Sequence, residues 1–331
     1  MKAVLLHGQV LEGAGWDEQD VFIQAAAVSQ ALSDLGYEPV IMPLSLNIAE
    51  TVDALLSLEP AFVFNLVEAI NGKGNLIHFS PAILDSLCIP YTGSQTAAIF
   101  LTSHKVTAKS FLHAQGIATP AWFLPDACPA SPVKEGRYII KSLWEHASIG
   151  LDEGSVVFTD DNSFLDGKMN AFRRSSGGEC FAEAFIEGRE INVSLLGGGE
   201  GHEVLPPAEI IFEDYPPEKL RVLGYRAKWV EDSFEYQHTP RTFEFPDKDG
   251  RLLKQLADIA TRCWQVFKLR GYARVDFRVD QRGTPWVLEV NANPCLSPEG
   301  GFTAAAKQAG LSYNDTIERI IRAVPGMPPY A

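Results

Sequence analysis

The chain has 331 residues, 46% of them hydrophobic, enough to bury a sizeable core and to fill roughly two or three domains. Acidic residues outnumber basic ones by 42 to 28, a net charge of −14 that speaks against a general nucleic-acid or anionic-membrane surface. The five cysteines (Cys88, Cys128, Cys180, Cys263, Cys295) are odd in number, widely spaced and without a CxxC, so neither a disulfide framework nor a zinc site is expected. The opening MKAVLLHG is too short an apolar run for a signal peptide and no later run approaches a membrane span, so a cytoplasmic protein is expected.

Up to about residue 94, strands and helices alternate. Residues 2–6 read as a short apolar strand. Residues 20–35 carry Val21, Ala25, Val28, Leu32 and Leu35 at helical spacing, with Gly36 as the stop. A strand over 37–44, a helix over 49–58, a strand over 61–66, a helix over 75–87 and a strand over 89–92 complete a βαβ series, which packs as a parallel sheet with helices on both faces. Such sheets bind ligands at the loops after their strands. Asp17, Glu18 and Glu68 fall in those loops and are candidate acceptors for an amine, against the ordinary reading of solvated loop acids.

Beyond residue 95 the pattern is mixed. A helix over 105–115 begins with Lys105 and stops at Gly116, and a strand over 137–143 has Lys141 near its end. The stretch KSLWEHASIGLDEGSVV follows, with Ala147, Ser148, Gly150 and Gly154 between two strands. Small residues there suit a loop that lays backbone N–H groups over phosphates, with Lys141 supplying positive charge. The chain has neither a Walker P-loop nor a GxGxxG. Glu183, Ala184, Phe185 and Ile186 run into Glu187-Gly188-Arg189-Glu190 and an apolar strand over 191–196. Main-chain groups at such a crossover can bind an adenine edge, and Glu190 can accept from ribose hydroxyls; a plain hairpin with acidic ends is the alternative. Pro206, Pro207, Pro216, Pro217, Pro240 and Pro246 mark 205–246 as an irregular excursion of the kind that forms lids, with Lys228 inside it. An amphipathic helix over 249–268 comes next.

Residues 271–294, GYARVDFRVDQRGTPWVLEVNANP, read as two strands around a tight turn. On the first, Ala273, Val275, Phe277 and Val279 share one face and Arg274, Asp276 and Arg278 the other. On the second, Trp286, Leu288 and Val290 oppose Val287, Glu289 and Asn291. Pairing Val279 with Thr284 sets Arg274 across from Glu289 and Asp276 diagonal to it, within about 7–8 Å. Two carboxylates and Asn291 on one face suit Mg²⁺, which takes one or two carboxylates and completes its shell with waters and substrate phosphates; a solvated face with an ion pair is the alternative. Helices over 303–308 and 314–323 close the chain.

With Lys105, Lys141, Glu183 and Glu190, Ala227-Lys228, Arg274-Val275-Asp276 and Leu288-Glu289-Val290-Asn291 in this order, and with Tyr91-Thr92-Gly93-Ser94 before them, the chain resembles the D-alanine–D-alanine ligase family of ATP-grasp enzymes nearly end to end. The resemblance implies an α/β and α+β architecture, the ATP-grasp fold with an N-terminal parallel α/β domain: residues 1–95 would form that domain, 96–183 the central part and 184–331 the C-terminal part, with ATP between the last two. It implies a carboxylate–amine ligase that forms an amide through an acyl phosphate and releases ADP and phosphate, a catalytically lapsed ATP-binding protein being the alternative. Asp276, Glu289 and Asn291 would hold two Mg²⁺ ions, with Mn²⁺ as a substitute. Lys105, Lys141, Ser148 and Lys228 would bind phosphates, Glu183, Ala184, Ile186 and Leu288 the adenine, and Glu190 the ribose; Arg274 and Lys228 would be catalytic. Partners would be amino-acid or small peptide substrates, with no nucleic acid or membrane, and a homodimer is the family habit. Four features depart from the family pattern: Ala147 replaces a loop serine, Trp229 a tyrosine, Cys295 a glycine, and Glu299-Gly300 a Ser-Leu pair. All lie on the substrate side, which puts D-alanine itself in question.

Overall fold

The computed structural model describes residues 1–11, 13–124, 133–144, 150–198 and 201–326. β1 (Lys2–Gly8), α1 (Trp16–Asp34), β2 (Glu38–Leu44), α2 (Ile48–Leu58) and β3 (Phe62–Asn65) build a parallel sheet in the order β2-β1-β3. Residues 3–8 of β1 are buried without a break, as a strand covered on both faces requires. Two expectations change here. Residues 89–92 reach the sheet only through one bridge, Val63 to Tyr91. The helix over 75–87 is a 3₁₀ turn, Gly74–Leu76, and then α3 (Phe79–Ser86), because Pro81 lacks a donor N–H and is tolerated in a first turn, not in an interior.

α4 (Thr96–Ser103) and α5 (Lys105–Ala114) lead to β4 (Trp122–Phe123), β5 (Gly136–Ser142), β6 (Val156–Thr159), α6 (Asn162–Ser176) and β7 (Cys180–Ala184), whose strands form a small antiparallel sheet, β4-β7-β5-β6. β8 (Gly188–Gly198), β9 (Gly201–Val204), β10 (Ala208–Ile210), α7 (Tyr225–Trp229), α8 (Phe234–Gln237), β11 (Arg241–Thr242), α9 (Gly250–Val266), β12 (Tyr272–Asp280) and β13 (Pro285–Asn291) follow. Their strands make the large sheet, β11-β10-β8-β12-β13, with β9 also on β8, and α10 (Gly301–Gln308) and α11 (Tyr313–Arg322) complete the chain. No helix among the described residues is long and apolar enough to cross a membrane.

The core is not divided by sheet. Ala3, Leu5, Phe62 and Phe64 of the parallel sheet pack with Tyr272, Phe302 and Ile317 from the far end of the chain. Ala98 and Leu112 of α4 and α5 join Ile191, Val275, Phe277 and Leu256 of the large sheet and α9. The small sheet keeps its own cluster around Tyr138, Ile140, Leu165, Met169 and Ala182. It meets α5 through Val106, Leu143 and Phe181.

The hairpin departs from its expected register. Asp276 lies directly opposite Glu289, Arg274 opposite Asn291, and Phe277 opposite Val287, so Leu288 is an extra residue on β13. A β-bulge of this kind reverses the alternation beyond it. Val287 and Val290 therefore both enter the core. Leu288, Glu289 and Asn291 line a cavity on the other side.

Candidate active site

That cavity, of about 1510 Å³, opens between the small sheet and the large one. From the small sheet come Lys141, Glu183, Ala184 and Ile186; from the large one Glu190, Arg274, Asp276, Leu288, Glu289 and Asn291; Lys105 and Lys228 also face it. Every described residue expected to hold the nucleotide or metal or to act in catalysis is thus on one cavity wall or another, and so is Glu68; Glu18 is not, its carboxylate lying beside Gly72. Ser148 and the neighbouring Ala147 lie outside the described residues.

Glu183 is 1% exposed and sits between two lysines. Lys109 Nζ lies 2.6 Å from one carboxylate oxygen, and Lys141 Nζ pairs with the other. Lys109 also donates to Thr119 Oγ1 at 2.9 Å, and that hydroxyl donates to the Val287 carbonyl at 2.8 Å. Burial alone would raise the Glu183 pKa, but the two ammonium groups outweigh it and hold the carboxyl below its usual range. The result is an anion fixed inside the fold that aims Lys141 into the cavity. Lys109 was not singled out from sequence, although a second lysine one helical turn after Lys105 was the available signal.

On the large sheet, Arg274 grips Asp276 with two hydrogen bonds, Nε at 2.7 Å and Nη2 at 2.8 Å. Asn192 of β8, paired across the ladder with Asp276, donates to the same carboxylate at 2.7 Å. The Asn291 amide donates to Asp276 at 3.2 Å and Glu289 at 3.3 Å, which ties the two carboxylates together. Burial pushes the Asp276 pKa up, Arg274 pulls it down, and Glu289 pushes again, leaving it above the ordinary carboxylate value. Burial would lower Arg274, and Asp276 more than reverses that. Arg274 faces both carboxylates, and the Lys228 ammonium also acts on Asp276. Among the described residues no group of three or more His, Cys, Asp or Glu gathers as a metal site. The donor set of two carboxylates and one amide is sparse, as suits Mg²⁺ rather than Ca²⁺. Asn192, a lone amide in the apolar run INVSLL, is a member of this set that sequence reasoning missed.

The Glu190 end is held by Arg278. Its Nη2 donates to Glu190 Oε2 at 2.7 Å and to the Arg221 carbonyl at 2.5 Å, and its guanidinium lies 5.7 Å from the ring centroids of Phe185 and Phe212. At the opposite end, Trp229, Cys295 and Glu68 line the cavity together with Asp20 and Arg241. Asp20 accepts from Ser297 Oγ at 2.6 Å and from the Cys295 thiol at 3.1 Å. Gln24 bridges Asp20 and Glu68 with its amide at 3.1 and 3.0 Å. Burial and the nearby Glu68 and Asp20 push the Cys295 thiol well up, so it keeps its proton and serves as a hydrogen-bond donor, not as a nucleophile.

An acid-lined nucleotide-sized cavity roofed by one small antiparallel sheet and floored by a larger one, with Lys141 from the small sheet, Lys105 from α5 and Lys228 from α7, defines the ATP-grasp class. The D-ala D-ala ligase C-terminus family model matches residues 139–322, more than half of the chain. An uncharacterised protein of Sinorhizobium fredii is 30% identical over 304 residues, covering 90% of this chain and 86% of its own. The D-alanine–D-alanine ligase of Aquifex aeolicus is 28% identical over 316 residues, covering 94% and 98%. The crystal structure of the Bacillus anthracis D-alanine–D-alanine ligase complexed with ATP superposes with a TM-score of 0.71 at 21% identity, over 98% of this chain and 97% of that one. The chain belongs to the D-alanine–D-alanine ligase family, and its class is that of the ATP-dependent ligases that form C–N bonds.

Proposed function

We propose that the protein uses ATP to join the carboxylate of one amino acid or short peptide to the amine of another. The observation that carries this reading is the direct pairing of Asp276 with Glu289, bound together by Asn291 on a cavity wall that also holds Lys105, Lys141 and Lys228. Asp276, Glu289 and Asn291 would hold Mg²⁺, which supplies charge neutralisation at the terminal phosphates when bound. Residues 1–95, 96–183 and 184–331 would act as the N-terminal, central and C-terminal parts around it.

A carboxylate is a poor electrophile until its oxygen carries phosphate, and transfer of the phosphoryl group to it requires mostly alignment and charge compensation. Lys141, aimed by the buried Glu183, and Lys105 would meet the phosphates from the small-sheet side. Main-chain groups of Ala184 and Ile186 with the Leu288 side chain would hold the adenine, and Glu190 the ribose. The donor carboxylate oxygen then bonds to the terminal phosphorus and ADP leaves. The acceptor amine attacks the acyl carbon, phosphate departs with the acyl C–O bond, and the amine loses a proton to solvent. Lys228 and Arg274 stabilise the negative charge that gathers on oxygen in both steps. Asp20 and Glu68, which line the cavity, would receive an ammonium, and Arg241 and Arg274 a carboxylate.

Purified protein given ATP, Mg²⁺ and pooled amino acids should release ADP and phosphate and yield a dipeptide by mass spectrometry. Release of AMP instead would mean adenylation and overturn the reading. ATP binding without turnover across a broad panel would favour a lapsed binding protein.

A further inference from the structure

A second groove, of about 880 Å³, lies behind the Glu190 end of the cavity. Its walls are the start of β8, the β12–β13 turn, the segment 216–221 and the first turns of α9. Eight Lys or Arg side chains line it against three Asp or Glu, in a chain where acids outnumber bases by 42 to 28. Four of those cations, Arg221, Lys248, Arg251 and Arg282, have side chains that make no hydrogen bond or ion pair with any described residue. Like charges gathered around a concavity repel one another and concentrate counter-anions there. Guanidinium forks match phosphate oxygens in pairs, and a long polyanion would meet the repulsion of the remaining acidic surface, so the fit is to a small ligand.

The groove is joined to the cavity through one buried side chain. Arg278 and Phe185 line both, and Arg278 bonds Glu190 on the cavity side and the Arg221 and Gly188 carbonyls on the groove side. We propose that this groove binds a small polyphosphate anion, and that Arg278 transmits its occupancy to the nucleotide wall. The binding claim stands on the groove alone; the coupling rests on the reading of Glu190 as the ribose acceptor. Coupling between two sites is reciprocal, so either ligand must change the affinity for the other by the same factor.

The test is calorimetric titration of the full chain with sodium pyrophosphate, and separately with orthophosphate and with sulfate, at low ionic strength. Two variants accompany it: a triple change of Lys248→Gln, Arg251→Gln and Arg282→Gln in the groove, and Lys141→Ala in the cavity. Pyrophosphate should bind the wild type, bind the triple variant at least about tenfold more weakly, and bind Lys141→Ala unchanged. Undiminished binding to the triple variant, loss on Lys141→Ala, or no binding to the wild type would overturn the site. Equal affinity for sulfate would overturn the assignment to polyphosphate. Circular dichroism melting of the triple variant guards against misfolding, and the single Arg282→Ala change should weaken binding a few-fold. For the coupling, saturating pyrophosphate should shift the ATP dissociation constant in the wild type and not in the triple variant. Identical shifts in both would mean competition inside the cavity and would overturn it. A ligase reading that fails shows up separately, as absent turnover with groove binding intact.

Discussion

Lys109 and Glu183 are each 1% exposed and 2.6 Å apart, and removing either partner strands a charge inside the fold. Breaking such a buried pair typically costs about 3–5 kcal/mol. Lys109→Met should lower unfolding stability by about that amount in a urea titration, less whatever Lys141 recovers by holding Glu183 alone. Arg241 makes the contrasting case. Its side chain lines the cavity without a hydrogen bond to any described residue, beside Arg274 and with Glu299 near, and a Cβ on Gly301 would lie 3.5 Å from its Nη2 and 3.8 Å from Arg274 Nη1. Arg241→Ala should leave the fold and the KM for ATP unchanged and raise the KM of the carboxylate-bearing acceptor about tenfold or more, as loss of a charged hydrogen bond of about 1.5–3 kcal/mol demands. A raised KM for ATP would instead assign Arg241 to the nucleotide. Sequence showed the acids and lysines that carry charge in recognisable order; it hid Lys109, Asn192 and Arg241, whose importance comes from partners 74, 84 and 33 residues away.

Among the elements, β12 was legible because its alternation is unbroken, and β13 was misread because one bulge at Leu288 depends on pairing that periodicity does not record. α6 was overlooked even though Asp161 caps it through Ser163 N at 2.8 Å and Gly177 ends it in the left-handed conformation, both ordinary signals. Gly188 begins β8 at φ 151, where an added Cβ would overlap the Val279 carbonyl across the ladder. Gly188→Ala should therefore destabilise the large sheet by about 2 kcal/mol or more and loosen Arg278, measured as a lower Tm together with weaker ATP binding. The excursion 205–246 has a latch of its own. Glu235 accepts from Lys219 Nζ at 2.9 Å and Arg226 Nε at 3.1 Å. Desolvation would raise its pKa, but Lys219, its own backbone N–H and Arg226 bring it down to about 2. A carboxyl depressed in the folded state stabilises at pH above its unfolded value of about 4.3 and loses that contribution as pH falls toward about 2. The Tm difference between wild type and Glu235→Gln should be steady near neutrality and close across that window; a gap that widens in acid would show that Glu235 is protonated in the fold.

Across the whole molecule, packing divides the chain differently from its order. The first strands share a core with α10 and α11, so the two ends of the chain stand or fall together. The small sheet has its own cluster and meets α5 through three buried residues and the Lys109–Glu183 pair. Alternating patterns made the parallel half readable from sequence, but the contact between residues 3–5 and 302–321 is long in sequence and carries no local signal. Scanning calorimetry should accordingly resolve a lower transition for the small sheet and an upper one for the remainder. The cavity is lined by both bodies, so a non-hydrolysable ATP analogue is expected to bind only while both are folded and in place. At a hundredfold excess over its Kd it should stabilise by about 2.7 kcal/mol, raising the lower transition first until the two merge. Amide exchange should slow in the same titration over residues 136–142 and 180–184. An analogue that raises only the upper transition would mean that the small sheet takes no part in holding the nucleotide.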